Sequence, residues 1–270
     1  MSNIPITQTQ DRPYVISIAG FDPTAGAGLL SDLKCFEAHR VYGFGVCTAL
    51  TIQTDTAFLK NDWLGAEQII AQLQPLLEKF PIAAVKIGLI KNLETLLAVC
   101  DYLISFDSNI KIVLDPILKA SAGFNFHDWN GASVVFKNVL KRLYLITPNY
   151  LELQTLIVPE ELLDQLELDS QQEIDQTCLN WSADCAVLLK GGHHPLRPGT
   201  DYLFLQNERL EFKSGSPGVF PKHGSGCVLS SAITAQLALG NSVSKSCLLS
   251  KQYIENFLNS NTSLLGYHNS

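Results

Sequence analysis

Short apolar runs rich in β-branched residues alternate along this chain with segments whose apolar residues recur every three to four positions, and that alternation leaves few folds open. Tyr14 to Ala19 is such a run. After Gly20-Phe21-Asp22-Pro23, the segment Ala25 to Ala38 places Leu29, Leu30, Leu33 and Phe36 at helical spacing. The same reading predicts strands at Phe44 to Ile52, Ala83 to Ile87, Ile110 to Leu114, Tyr144 to Thr147 and Ala186 to Leu189. Helices are predicted at Gly65 to Phe80, Leu93 to Phe106, Val134 to Leu143, Tyr150 to Ile157 and Gln171 to Ser182, with Gly226 to Leu239 and Ser242 to Asn259 last. Tyr202 to Leu205 and Leu210 to Phe212, around Gln206-Asn207-Glu208-Arg209, read as an antiparallel hairpin. Repeated strand–helix units imply an α/β fold, a three-layer sandwich in which a mostly parallel central sheet carries helices on both faces. No linker, composition shift or internal repeat divides the chain, so residues 1–270 are expected to form one domain with 1–12 as a flexible extension.

Composition removes several classes of function. A net charge of -7 and a pI near 5.3, with no cluster of Lys or Arg, argue against a nucleic-acid partner, so any phosphate-handling site must be local. Cys35, Cys47, Cys100, Cys178, Cys185, Cys227 and Cys247 lack Cys-x-x-Cys spacing, and reduced thiols in a cytoplasm are expected rather than disulfides or zinc. The first residues show no basic-then-apolar progression, and no apolar run approaches the roughly 20 residues that span a bilayer, so neither export nor a membrane partner is expected.

The run Lys222-His223-Gly224-Ser225-Gly226-Cys227 opens directly into the helix that starts at Gly226. Glycines on both sides of Ser225 let successive N–H groups converge on one point, and the helix adds its positive dipole end there, which suits an anion. Cys227 in the first helical turn is expected to have its thiol pKa lowered from about 8.5 by that dipole, so that a thiolate could accept a proton. Gly-x-Gly before a helix is also an ordinary tight turn. Further polar residues follow strands, at the edge where such a sheet binds ligands: Asp115-Pro116, Thr147-Pro148-Asn149 with Glu152, and Lys190-Gly191-Gly192. Phosphoryl transfer needs a cation on the phosphates, carboxylates for magnesium and a proton acceptor, roles open to Lys190, to Asp115 with Glu152, and to Cys227. Singly, each of these segments is also a common turn. Gln53 and Asp32 carry little weight alone, and His193-His194 lacks partners at metal-ligand spacing.

In their order and spacing these segments resemble a known family over about Tyr14 to Asn259. The carriers are Ile18-Ala19-Gly20-Phe21-Asp22-Pro23-Thr24-Ala25-Gly26-Ala27-Gly28 running to Asp32-Leu33-Lys34, Thr48-Ala49-Leu50 with Gln53, Lys86-Ile87-Gly88, the three strand ends above, and His223 to Cys227. The chain is similar to the hydroxymethylpyrimidine/phosphomethylpyrimidine kinases of the ribokinase-like superfamily. The resemblance implies a ribokinase-like fold and an enzyme that uses ATP and Mg2+ to phosphorylate hydroxymethylpyrimidine twice, for thiamine biosynthesis. It implies that Gln53, Asp32 and Leu89 contact the pyrimidine, that Lys190, Asn149 and Asp115 serve ATP, and that Glu152 and Asp115 serve the metal. It further implies that Gly224, Ser225 and Gly226 form an anion hole beside Cys227 as base, and that the protein is a homodimer. Pyridoxal kinase activity and a non-catalytic pyrimidine-binding relative are the other readings. Ser121-Ala122-Gly123 stands where the family has Lys-Ser-Gly, so Lys119 would have to supply the cation for the second phosphorylation; Lys222, Val228 and Thr24-Ala25 are further departures.

Overall fold

In a computed structural model, which describes residues 11–119, 123, 126, 129, 134–157, 171–192, 197–216 and 218–269, nine strands form one sheet. They are β1 (Tyr14–Phe21), β2 (Tyr42–Gln53), β3 (Phe58–Trp63), β4 (Ile82–Ile87), β5 (Lys111–Leu114), β6 (Leu145–Ile146), β7 (Ala186–Leu189), β8 (Asp201–Leu205) and β9 (Glu208–Phe212). Their spatial order is β3-β2-β1-β4-β5-β6-β7-β8-β9. Strands β2, β1, β4, β5, β6 and β7 pair in parallel, while β3, β8 and β9 run antiparallel at the two edges. The helices are α1 (Gly28–Ala38), α2 (Ala66–Lys79), α3 (Leu93–Phe106), α4 (Val134–Leu140), α5 (Tyr150–Ile157), α6 (Gln171–Trp181), α7 (Ser225–Ala238) and α8 (Val243–Leu258).

Side chains alternate across a strand, so each central strand feeds two cores. Ile112 and Leu114, or Val187 and Leu189, pack with α2 to α6, whereas Val113, Ala186 and Leu188 pack with α7 and α8. Both faces being covered, these strands read as continuous apolar runs, which is why their sequence signal is strong.

One unexpected strand and two shifted element starts have local physical reasons. The sequence pattern does not mark strand β3, because Lys60, Asn61 and Asp62 interrupt any apolar alternation; its pairing with Ala49 to Gln53 of β2 creates it. Helix α1 starts at Gly28 rather than Ala25, since Ala25 takes the left-handed φ of 56° and the Asp22 carboxylate gathers the Thr24 and Ala27 N–H groups at 2.9 and 3.0 Å into a loop. Gln206 and Asn207, at φ 51° and 65°, close the hairpin as a two-residue turn, so β9 begins at Glu208. Arg12 is paired with Glu37 at 2.7 Å; residues 1–10 of the expected extension lie outside the described residues.

The chain moves outward from β1 to β2 and β3, then returns to the other side of β1 at β4. That reversal opens a crevice beyond the carboxyl ends of β1 and β4. The loops after β1, β4, β5, β6 and β7 all emerge at this edge, stitched strand to strand by Gly88 N–H to Ile18 O, Asp115 N–H to Ile87 O, Thr147 N–H to Leu114 O and Lys190 N–H to Pro148 O, each at 2.8 to 2.9 Å.

Candidate active site

Helix α7 points its N-terminus into the crevice, and two glycine-rich turns make room for it. Gly224 is its N-cap at φ 74°, and no side-chain hydrogen bond caps the helix there. A Cβ on Gly224 would lie 2.3 Å from the Gly26 carbonyl oxygen and 2.7 Å from Ala27 Cα, a contact that only glycine permits. The loop after β1 is shaped the same way: a Cβ on Gly28, at φ 58°, would lie 2.3 Å from the Gly20 carbonyl oxygen. Asp22 ties the two turns together by accepting from His223 Nε2 at 2.9 Å. Burial alone would push the Asp22 carboxyl up, but hydrogen bonds from His223, Thr24 and Ala27 hold it below its ordinary range.

Polar side chains inside α7 fix it onto the strand ends. Val228, Leu229, Ile233 and Leu237 are buried, but so are Ser230 and Ser231. Ser230 Oγ donates to Asp115 Oδ2 at 3.2 Å, and Ser231 Oγ donates to Asp32 Oδ1 at 2.7 Å. Buried hydroxyls are retained where an acceptor awaits them.

Asp115, at the end of β5, receives Lys190 Nζ at 2.6 Å, and Glu152 Oε2 lies 3.6 Å from the same ammonium. Asn149 and Glu152 cap α5 reciprocally, with the Asn149 N–H on Glu152 Oε2 at 2.7 Å and the Glu152 N–H on Asn149 Oδ1 at 2.9 Å. One lysine shared by a buried carboxylate, Asp115, and a partly buried one, Glu152, cannot satisfy both equally. Burial would raise Asp115, yet Lys190 and Lys86 hold it below its usual range, whereas burial and the Asp115 charge push Glu152 up to about 7 despite Lys190. Lys190 sits well above its ordinary value because its two carboxylates outweigh burial. A Cβ on Gly226 would lie 3.3 Å from Lys190 Nζ, so the lysine and the helix N-terminus face one spot.

One expectation is corrected here. Cys227 is buried and its thiol is pushed up to about 11, not down: burial, Asp32 and Asp115 outweigh Lys86 and the Gly28 N–H that favour the thiolate. Asp32 is fully buried, and its carboxylate is filled by Lys86 Nζ at 2.7 and 2.9 Å, Ser17 Oγ at 2.5 Å and Ser231 Oγ at 2.7 Å, so a contact to the pyrimidine would have to break that cluster. Burial raises the Asp32 carboxyl, and Lys86 is held well above its usual value by Asp32 against its own burial. Gln53, half-buried at the end of β2, donates to Thr51 Oγ1 at 2.8 Å, and Leu89 is 7% exposed, its Cδ2 3.0 Å from where a Gly20 Cβ would stand. Sequence reasoning assigned no role to Lys86, Ser230, Ser231 or the Asp22–His223 pair. A lysine inside the apolar run Ala83-Ala84-Val85-Lys86-Ile87 was the available signal for the first. Ser121, Ala122, His193 and His194 lie outside the described residues; Lys119 is exposed, and Lys222 Nζ donates to the Asn261 carbonyl at 2.6 Å.

The sequence model of the family described as phosphomethylpyrimidine kinase matches residues 22–270. A hydroxymethylpyrimidine/phosphomethylpyrimidine kinase of Aquifex aeolicus (strain VF5) is 32% identical over 243 residues, 88% of this chain and 91% of that one. The protein of the same name from Rhizobium meliloti (strain 1021) is 31% identical over 239 residues, covering 88% of each chain. Among solved structures, phosphomethylpyrimidine kinase from Clostridium difficile 630 superposes with a TM-score of 0.70 at 29% identity, over 90% of this chain and 98% of that one. Pyridoxal kinase from Staphylococcus aureus in complex with ADP shares the fold, with a TM-score of 0.77 at 22% identity over 93% of this chain and 89% of its own.

Proposed function

The chain belongs to the phosphomethylpyrimidine kinase family, and we propose that it transfers phosphate from ATP to the hydroxymethyl group of hydroxymethylpyrimidine and then to the monophosphate, giving the diphosphate used in thiamine assembly. The observation that carries this reading is Cys227 at the uncapped N-terminus of α7, in one crevice with Lys190, Asp115 and Glu152. Phosphoryl transfer is mostly positioning and charge neutralisation. The N–H groups from Gly224 to Cys227 receive the oxygens of the transferring group, and Lys190 takes ATP phosphate oxygens with Asn149 nearby. Gln53 and Leu89 line the pyrimidine side.

Among the described residues no cluster of three or more His, Cys, Asp and Glu side chains could hold a metal by protein ligands alone. Two convergent carboxylates are what Mg2+ uses when phosphates and waters complete its shell, so Asp115 and Glu152 fit it as a partner of ATP. Bound there, the ion supplies positive charge to the phosphates.

Cys227 accepts the hydroxyl proton as phosphate transfer advances. With a thiol near pH 11, only about one site in 10⁴ is ionised at pH 7, and that fraction rises about tenfold per pH unit. Log kcat/KM is therefore expected to climb with unit slope between pH 8 and 10. Cys227→Ala lowers kcat by about 10²-fold, flattens that limb and retains ATP binding. A flat profile in the unsubstituted protein removes the thiolate as base.

The deciding experiment incubates the protein with ATP and Mg2+ and either hydroxymethylpyrimidine or pyridoxal, with products resolved. Monophosphate followed by diphosphate is the expected result. A higher kcat/KM for pyridoxal, or binding without turnover, overturns the reading, and a reaction that stops at the monophosphate removes the second step.

We read residues 1–270 as one kinase domain acting in the cytoplasm, where its seven unpaired cysteines stay reduced. No helix among the described residues is long and apolar enough to cross a membrane. Leu50 and Ile52 on β2 and Leu59 on β3 are more than half exposed, which favours a homodimer through this edge. Light scattering at the monomer mass of 29.7 kDa overturns that assignment.

A further inference from the structure

We propose that Lys251, on α8, is a positioning residue for the phosphate-binding lysine: acting through Asp201, it fixes the turn that carries Lys190. The inference rests on the reading of Lys190 as the cation for ATP phosphates.

Lys251 is 6% exposed, an unusual place for an ammonium. It donates to Asp201 Oδ2 at 2.8 Å and to the Gly199 carbonyl at 2.5 Å. The other oxygen of that carboxylate accepts the Gly191 N–H at 2.8 Å, one residue beyond Lys190. The Gly199 N–H returns to the Gly191 carbonyl at 2.9 Å, so the turn after β7 and the turn before β8 are stitched in both directions. Their approach is so close that a Cβ on Gly191 would stand 1.7 Å from the Thr200 carbonyl oxygen. On its other side Lys190 is held by its own N–H to the Pro148 carbonyl at 2.8 Å.

The backbone at Lys190 is thus pinned on both sides while its side chain crosses to Asp115. Asp201 can pin Gly191 only while its charge is compensated, because a buried carboxylate facing one amide is costly. Lys251 is the compensating charge. A Met or Leu would fill the same place in α8 with no desolvation cost, so what the ammonium adds is the orientation of Asp201. Glu255, one helical turn further and 3.9 Å from Lys251, extends the arrangement by accepting the Gly215 N–H at 2.9 Å and Ser214 Oγ at 3.2 Å. None of these groups reaches the reacting atoms; they act through Lys190.

Misplacement of a binding group by about 1 Å costs on the order of 10²-fold, so a loosened turn is visible in nucleotide affinity. Lys251→Met and Asp201→Asn are each expected to raise KM for MgATP, and Kd for ADP by calorimetry, about tenfold, with KM for hydroxymethylpyrimidine changed by less than about twofold. The double variant is expected to be no worse than the poorer single, since both break one chain of contacts. Asp201→Asn keeps an oxygen for Gly191 while turning a donor toward Lys251, and it decides the question by itself if Lys251→Met does not fold. A lower melting temperature with unchanged ADP affinity, an equal rise in both KM values, or additive losses in the double variant overturns the proposal. If the unsubstituted protein binds no ADP, the kinase reading itself falls, an outcome distinct from unaltered binding in the variants.

Discussion

Lys190→Met is expected to lower kcat/KM for MgATP by about 10³-fold, the scale of losing one preorganised charge at a phosphoryl-transfer centre. Two effects combine. The ammonium that faces the N-terminus of α7 disappears, and the two carboxylates that it compensates remain. Asp115 loses its 2.6 Å partner and Glu152 its 3.6 Å partner, so the site confronts an anionic nucleotide with carboxylates instead of a cation. Because Lys190 is what holds Asp115 down and restrains Glu152, both carboxyls shift upward in the variant, and under the proposed function they would hold Mg2+ less well. Lys190→Arg keeps the charge but cannot reproduce a single short contact with its planar fork, and recovers only part of the loss. Steady-state kinetics at saturating pyrimidine measures this, and a fall of less than tenfold would show that Lys190 is not the phosphate cation.

Asp32→Ala is expected to destabilise the fold by about 3–5 kcal/mol, the cost of stranding one member of a buried ion pair. Lys86 and Asp32 are both fully buried, and the carboxylate also receives Ser17 and Ser231. Removing it leaves an ammonium and two hydroxyls without their acceptor between β1, β4, α1 and α7, and frees the first turns of α7 from one of their two anchors. Replacing both partners, as Asp32→Leu with Lys86→Met, recovers most of the loss because no charge is left stranded. Urea denaturation of the two variants separates the cases. A loss below about 1 kcal/mol for Asp32→Ala, or a double variant as unstable as the single, would mean that the pair does not hold α7.

Much of the fold was legible because its signals are local. The helices Leu93–Phe106 and Tyr150–Ile157 and the strand Ala186–Leu189 fall where periodicity puts them, since burial on one or both faces writes a period of 3.6 or a continuous apolar run into the chain. The edge strand Phe58–Trp63 escaped for the opposite reason: it owes its conformation to β2 and carries Lys60 and Asp62 outward. Lys190, Asp115, Glu152 and the Gly224-to-Cys227 turn were recognisable as polar or glycine positions that follow strands or open a helix. Asp32 was legible as a position but not as a partner of Lys86, which lies 54 residues away and crosses from another strand. Lys251 gave no signal at all, being a lysine on a helix whose exposure sequence cannot predict.

The alternation of strand and helix, the glycine turns and the identity of the polar residues at the strand ends follow from the sequence by itself, because they depend on neighbours within a few positions. Which of those residues face the crevice, and in what charge state, was decided by the tertiary structure alone. Asp32 is withdrawn into an ion pair, and burial pushes the Cys227 thiol up where the helix dipole alone would lower it. The physical reason is that ionisation and pairing respond to burial and to charges a few ångströms away. Here those charges are brought together from β4, α1, the end of β5 and β7, which no local pattern relates.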